Sequence, residues 1–511
     1  MPGISAAPVV PGPPPEHEQT KTGNRRQGGG AVSTAPDATD EHIDNLATVL
    51  MDHPFADSED LIFTVDRTMT AGEARSGARA LADELASLGV QPGQAVGVKL
   101  PNGPDVVVAM AGIWLAGAVF VPINPRLPDA EIDTVVGPSA PAAVIDRDGV
   151  HILPEPRAYD AGTAFILWTS GTTGQPKPIL HTHRGYGELL DRVLKPLRSG
   201  STAPAKRPSP NLIPVSLALN AGIYNVLFGL RAGAPLVIMD RFQTTSFAEL
   251  VRRFEIRSTV LPPAAIAMLN DDPTITDLAP LKYVRSITAP LSPLQAKRFT
   301  EMFGVFVLNS YGQAEVGEVI GWTASDAKTY PEKVGAVGRP HKGVGLRIVG
   351  DDGNEVATGQ TGELRVRPPN MASGYASGAE LADRIDADGY LATGDLGRID
   401  EEGFVWIEGR SSDLINRGGN KVFPDEVEEV ICLAPSVSEA AVVGAADERL
   451  GEVPVAFVVS SDELDPEALT ALCRAHLTPY KIPVDFVRVD TLPRSEVGKV
   501  LRRELAARYE R

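Results

Sequence analysis

The chain has 511 residues, too many for one hydrophobic core, so two or more domains are expected. Its net charge of -18 repels nucleic acid and anionic membrane, so neither is an expected partner, and an anionic ligand has to be met by a local cluster of donors. Two cysteines, Cys432 and Cys473, form no disulfide framework or metal cluster and suit a reducing interior.

Residues 1–40 are rich in Pro, Gly, Ser and Thr and read as a disordered tail. That stretch has no apolar core of a secretory leader, and the expected location is cytoplasmic. An amphipathic helix is predicted over Glu41–Met51. Apolar runs then alternate with helical stretches: Ala95–Leu100, Val119–Ile123, Ala142–Ile145, Ala164–Trp168, Leu236–Met239 and Ser258–Leu261. Such alternation predicts parallel sheets covered by helices, an α/β fold. Val106–Ile123 has the length of a membrane span, but Gly112, Gly117 and Pro122 punctuate it. It reads as a buried helix to Leu115, a turn at Gly117 and a core strand, so no membrane span is expected.

Beyond about Val344 the texture changes. Leu346–Val349, Glu363–Val366, Gly397–Asp400 and Phe404–Ile407 are short strands joined by tight turns, a β-rich subdomain. From Val422 onward helix (Pro424–Leu433), strands (Glu439–Gly444, Val453–Val459) and helix (Asp465–Ala475) make a small α+β unit.

The chemistry begins at Ala164–Lys177, AFILWTSGTTGQPK, where an apolar strand runs into a hydroxyl- and glycine-rich loop closed by a lysine. Gly171 and Gly174 let the backbone approach a ligand closely. Thr169, Ser170, Thr172 and Thr173 add hydroxyls and Lys177 a charge, a set that suits a polyphosphate. It is not the loop of P-loop triphosphatases, because Lys177 follows no glycine and no Ser or Thr follows it. An ordinary surface loop is the alternative.

TSGTTGQPK (169–177) resembles the phosphate-loop signature of the acyl-adenylate-forming enzymes, the AMP-dependent synthetases and ligases that include acyl- and aryl-CoA synthetases. Further matches follow in that family's order from about Glu41 to Arg503. LASLGVQPGQAVGVKLPNG (85–103) and WLAGAVFVPINPRLP (114–128) are similar to its early motifs. NSYGQAE (309–315) resembles the adenine and magnesium motif and GYLATGDLGRID (389–400) the ribose motif. GRSSDLINRGGNKVFPDEVE (409–428) resembles the interdomain junction and PRSEVGKVLR (493–502) the C-terminal lysine motif.

The resemblance implies a large N-terminal adenylation domain over 41–408 and a small mobile C-terminal domain over 409–511. It implies ATP, Mg²⁺ and coenzyme A as the reactants and ion. Thr288, Ala289, Pro290, Asn309, Tyr311 and Gly312 would contact the nucleotide, with Tyr311 stacked on adenine. Asp395 would accept the ribose hydroxyls and Arg410 would add donors. Glu315 and Thr169 would hold the magnesium, a fitting pair of hard oxygen ligands. Lys499 would bridge the carboxylate and the α-phosphate, with Lys177 on the outer phosphates. Ser412, where relatives carry Asp or Lys, matches the pivot, and Gly418 and Gly419 would line the pantetheine tunnel.

The acid pocket is expected from Pro214–Gly222 (PVSLALNAG), the stretch around Ser286–Pro290 and the start of NSYGQAE. Leu219 stands where many relatives have a histidine, with Asn220 and Gly222 beside it. With no carboxylate in PVSLALNAG an α-amino acid is disfavoured. An apolar pocket with Asn220 as its nearest polar group suits an aliphatic or aromatic acid, though Asn220 is equally readable as a turn residue. His181 and His183 lack a third ligand and read as capping and packing residues. Three readings follow. The first is acid activation with transfer to coenzyme A. The second is adenylation with another acceptor or acid, such as a carrier protein, an amine, or nitrite for diazotisation of an arylamine. The third is a catalytically silent nucleotide-binding protein.

Overall fold

The computed structural model describes residues 43–127, 132, 136–169, 177–199, 208–372, 374–375, 381–494 and 499–509. The tail expected over 1–40 lies outside them.

A seven-stranded sheet forms the first layer. Its order is Gly374–Tyr375, Lys177–Thr182, Thr163–Thr169, Val119–Pro122, Ala95–Val98, Ala143–Asp146 and Gly149–Ile152. The four central strands are parallel, and every residue of Ala95–Val98 and Val119–Pro122 is buried. Strands covered on both faces have no polar side to show, hence the continuous apolar runs in the sequence. The edge strands pair antiparallel, a feature the alternation of strands and helices did not reveal. Val106–Ile123 folds as read, with a buried helix Pro104–Leu115, Gly117 at φ +71 and then the core strand. No helix among the described residues is long and apolar enough to cross a membrane.

The helix expected over Glu41–Met51 is much shorter, Thr48–Met51. The backbone N–H of Leu46 donates to His183 Nδ1 at 3.0 Å and that of Ala47 to Asn45 Oδ1 at 2.8 Å. Side chains thus take the donors that an earlier helical turn would direct along its own axis.

The second sheet runs Ser258–Leu261, Tyr283–Ser286, Phe306–Gln313, Gly317–Gly321 and Arg339–Pro340. Its first three strands are parallel, and Phe306–Gln313 then turns back antiparallel on Gly317–Gly321. A four-stranded antiparallel sheet follows: Gly345–Val349, Gly362–Arg367, Leu391–Ile399 and Val405–Arg410. Leu391–Ile399 starts well before the expected Gly397, because it pairs with a neighbour on each side. The TGD segment therefore lies inside a strand. Beyond Ile415 a further sheet, with Val437–Asp447 and Gly451–Ser460 at its centre, encloses hydrophobic clusters drawn from residues 415–505 alone.

Trp114 ties the first layer together. It is 1% exposed, donates from Nε1 to Ala164 O at 2.7 Å and packs on Phe120, Phe165 and His183. Ala164 belongs to the strand that leads into Thr169. Trp114→Ala is expected to lower unfolding free energy by about 3–5 kcal/mol, measured by denaturant melts.

Candidate active site

Asp395 is the most constrained polar side chain of the site. Alternation along Leu391–Ile399 turns it inward with Leu391 and Thr393, leaving it 5% exposed. Its Oδ1 is 3.0 Å from Arg410 Nε, the residue opposite it in the strand pair. Its Oδ2 accepts from Tyr311 Oη at 2.5 Å and Gln313 Nε2 at 2.9 Å. Thr393 Oγ1 accepts the Asp395 N–H at 3.1 Å and donates to Leu364 O at 2.6 Å. A buried carboxylate is stable only when so paired and bonded. Burial pushes the Tyr311 phenol well up, and the Asp395 charge pushes it further, so the ring stays neutral.

Gln313, Thr393 and Arg384 escaped the sequence reading. Gln313 was detectable, since it lies two residues from Tyr311 on the same strand and so on the same face. Arg384 had no such signal. It ends a short helical turn, Leu381–Arg384, and reaches back to Glu315 Oε1 at 2.9 Å, Gln313 Oε1 at 3.3 Å and Ala392 O at 2.8 Å. Glu315 is buried, and its carbonyl accepts the Ala372 N–H at 2.7 Å.

Lys499 joins this group from the far end of the chain. It is half-buried within the fields of Arg410, Asp395, Glu315 and Asp413. Burial pushes its ammonium pKa below the ordinary value; Arg410 adds to this, and the three carboxylates oppose it. Three residues on, Arg502 Nη2 bonds Asp425 at 2.6 Å and Glu428 at 2.7 Å, which anchors the segment to the helix Pro424–Ile431.

The backbones of Thr169 and Lys177 pair directly across two antiparallel strands. Ser170, Gly171, Thr172, Thr173 and Gly174 lie outside the described residues, as do the side chains of Thr169 and Lys177. Ser286, at the carboxyl end of its strand, is the register partner of Asn309, where the parallel pairing of Phe306–Gln313 ends, and α/β sheets bind their ligands beyond such strand ends. Thr288 follows at φ +78, a left-handed conformation that a β-branched residue adopts under strain, leading into half-buried Ala289 and exposed Pro290. Asn309 is buried and folds onto the Ser310 N–H at 3.0 Å. At Gly312 an added Cβ would meet Gly317 O at 2.1 Å, so no side chain fits that crossing.

Leu219 precedes the helix Asn220–Arg231 at its N-cap, and Asn220 Oδ1 accepts from Tyr186 Oη at 2.8 Å. A charged cluster lies near the same helix. Tyr224 on this helix lies within the fields of Glu318, Arg285 and Arg192. Glu318 is ion-paired with Arg285, and His341 Nε2 is 2.9 Å from its Oε1. Burial would raise the Glu318 carboxyl pKa, but Arg285 and His341 outweigh it and hold it at about 2. These groups come from separate elements, so no local motif announced them.

Gly418 and Gly419, at φ +59 and +88, form the tip of the hairpin between Ile415–Arg417 and Asn420–Val422. The Gly418 N–H donates to Leu450 O and that of Gly419 to Asn416 Oδ1, so these bonds stay within the C-terminal sheet. Ser412 is exposed and donates to Asp413. His181 stacks on Phe165 at 4.8 Å, and His183 accepts from Leu46. Burial lowers their pKa values to about 3 and about 4. Both pack as expected, and no group of three metal-ligating side chains occurs among the described residues.

Residues 51–160 and 153–376 match the AMP-binding enzyme family, and residues 426–499 match the AMP-binding enzyme C-terminal domain. The chain belongs to the AMP-binding enzyme family. An indoleacetate–CoA ligase of Aromatoleum aromaticum is 31% identical over 84% of this chain and 91% of its own. A long-chain-fatty-acid–CoA ligase of Yersinia pestis is 28% identical over 91% and 93%. Among solved structures, an o-succinylbenzoate CoA synthetase of Bacillus subtilis in complex with its acyl-adenylate intermediate has TM-score 0.79 at 27% identity, covering 90% of this chain and 97% of its own. An amide bond synthetase of Marinactinospora thermotolerans has TM-score 0.79 at 25% identity, covering 92% and 100%.

At Gly222 a Cβ would fall 2.1 Å from Ser216 O. Gly222→Ala is expected to destabilise the fold by about 1–3 kcal/mol through displacement of this wall, visible as a lower urea midpoint.

Proposed function

We propose that the protein activates a carboxylic acid by two half-reactions on the face where Asp395, Tyr311, Glu315 and Lys499 meet. It is an AMP-forming acid ligase that uses ATP, Mg²⁺ and coenzyme A. In the first half-reaction a carboxylate oxygen bonds to the α-phosphorus, the α–β phosphoanhydride bond breaks, and pyrophosphate leaves. In the second the sulfur of coenzyme A, its proton lost, attacks the acyl carbon of the acyl-AMP, and AMP departs.

The observation that carries the residue assignment is the convergence of Lys499 with Asp395, Arg410 and Glu315 from motifs remote in sequence. Asp395 has two acceptor oxygens for the ribose hydroxyls, with Arg410 and Gln313 fixing its orientation. Tyr311, held by Asp395, offers its ring face to adenine, and Thr288–Pro290 line the other side. Lys499 screens repulsion between the incoming carboxylate and the phosphates, a role that requires its ammonium form. Lys177 and the hydroxyls of 169–173 are assigned to the outer phosphates.

The residues fit a magnesium ion that arrives on the triphosphate. Glu315 supplies a hard oxygen, Thr169 is assigned as its companion, and phosphate and water would complete the shell. When bound, the ion offsets charge on the leaving pyrophosphate.

Rotation of the unit beyond Ser412 would bring Gly418–Gly419 to the site for thioester formation; the separate cores of residues 415–505 support this reading. The likeness to an amide bond synthetase supports an amine as a second acceptor. A cytoplasmic location suits these reactants.

Acid-dependent pyrophosphate release is expected, with free AMP accumulating in bulk once coenzyme A is added; formation of ADP would refute this mechanism. Lys499→Ala should slow acyl-AMP formation by roughly 10²–10³ while sparing thioester formation from supplied acyl-AMP. As pH rises through the lowered Lys499 pKa the ammonium is lost, so the adenylation rate should fall earlier than for an ordinary lysine of about 10.4.

A further inference from the structure

Arg192, on the helix His183–Ser199, presents a guanidinium whose three nitrogens are all buried and lack a hydrogen-bond partner among the described residues. A guanidinium stays charged inside proteins and carries five donors. Leaving such a group buried and unsatisfied is unfavourable, so its retention points to a partner that arrives from outside.

Its surroundings say what that partner is. Leu189, one turn earlier, presses on Gly317, where an added Cβ would lie 2.4 Å from Leu189 Cδ1. The next turn of the helix therefore falls beside Glu318. The helix also packs against Asn220–Arg231, which brings Tyr224 close. Glu318 is the carboxylate whose field reaches Arg192, but it is engaged by Arg285 and His341. Two guanidinium groups against one carboxylate leave one positive charge in excess. The Tyr224 hydroxyl has no hydrogen-bond partner among the described residues, and burial keeps it protonated as a donor.

We infer that Arg192, with Tyr224, binds a second oxyanion on the acid substrate, a carboxylate or sulfonate remote from the carboxyl that is adenylated. The inference rests on the acid-activation reading above. A plain aliphatic tail would strand the buried charge, whereas a planar carboxylate matches the guanidinium fork and cancels the excess. Arg192 is on this account a specificity-determining residue, outside the reacting atoms.

The test is ATP–pyrophosphate exchange with acids matched in length, ending in methyl, carboxylate or sulfonate. It uses the full chain and its Arg192→Leu and Arg192→Lys variants. The native chain should favour an anionic terminus by about a hundredfold or more in kcat/KM. Arg192→Leu should bring that ratio near one and Arg192→Lys restore part of it. The ratio is internal to each protein and insensitive to a reduced folded fraction. The carboxylate and sulfonate arms separate planar from tetrahedral anions. Methyl-ended acids that match or beat their anionic partners, or an unchanged ratio in Arg192→Leu, would overturn the inference and leave acid activation standing. No exchange with any acid would remove acid activation itself, and the inference with it.

Discussion

One buried carboxylate organises this molecule. Asp395 joins three elements: its own strand, the neighbouring strand through Arg410, and the second sheet through Tyr311 and Gln313. Each bond that keeps the charge tolerable also fixes a group that faces the nucleotide in the proposed reaction. Burial of the aspartate and orientation of Tyr311 and Arg410 are the same event. Lys499 closes the arrangement from the C-terminal side, where the acidic surroundings partly offset the desolvation of its ammonium.

Much of this was legible in the residues. Strands such as Val119–Pro122 showed as apolar runs because parallel core strands present no polar face. The motif residues Tyr311, Glu315, Asp395, Arg410 and Lys499 were readable because a resemblance fixes their order. What escaped were contacts between segments far apart in the chain. Arg384 reaches Glu315 from a short helical turn, and nothing in its local sequence distinguishes it from a surface arginine. The short helix Thr48–Met51 was overestimated because His183 and Asn45 take backbone donors, a competition settled only in three dimensions.

The charged cluster near the helix Asn220–Arg231 shows the same limit more sharply. PVSLALNAG contains no charged side chain, and read alone it describes an apolar cavity. Arg192, Glu318 and Arg285 come from a helix and two strands that each look ordinary. Charge at one place in the fold is a property of the assembled elements, so a motif-by-motif reading does not see it.

The paired histidines after the phosphate loop have a consequence of their own. His181 and His183 lie at the far end of the strand that begins with Lys177, and both are neutral in the fold, with pKa values near 3 and 4. An unfolded chain takes up protons at these positions below about pH 6.5. The folded chain refuses them until far lower. Their contribution is therefore fully present above that pH and drains away as acidity increases towards 4. The two buried rings thus make the stability of the fold acid-labile over the range between about pH 6.5 and 4, where most surface imidazoles would only change charge.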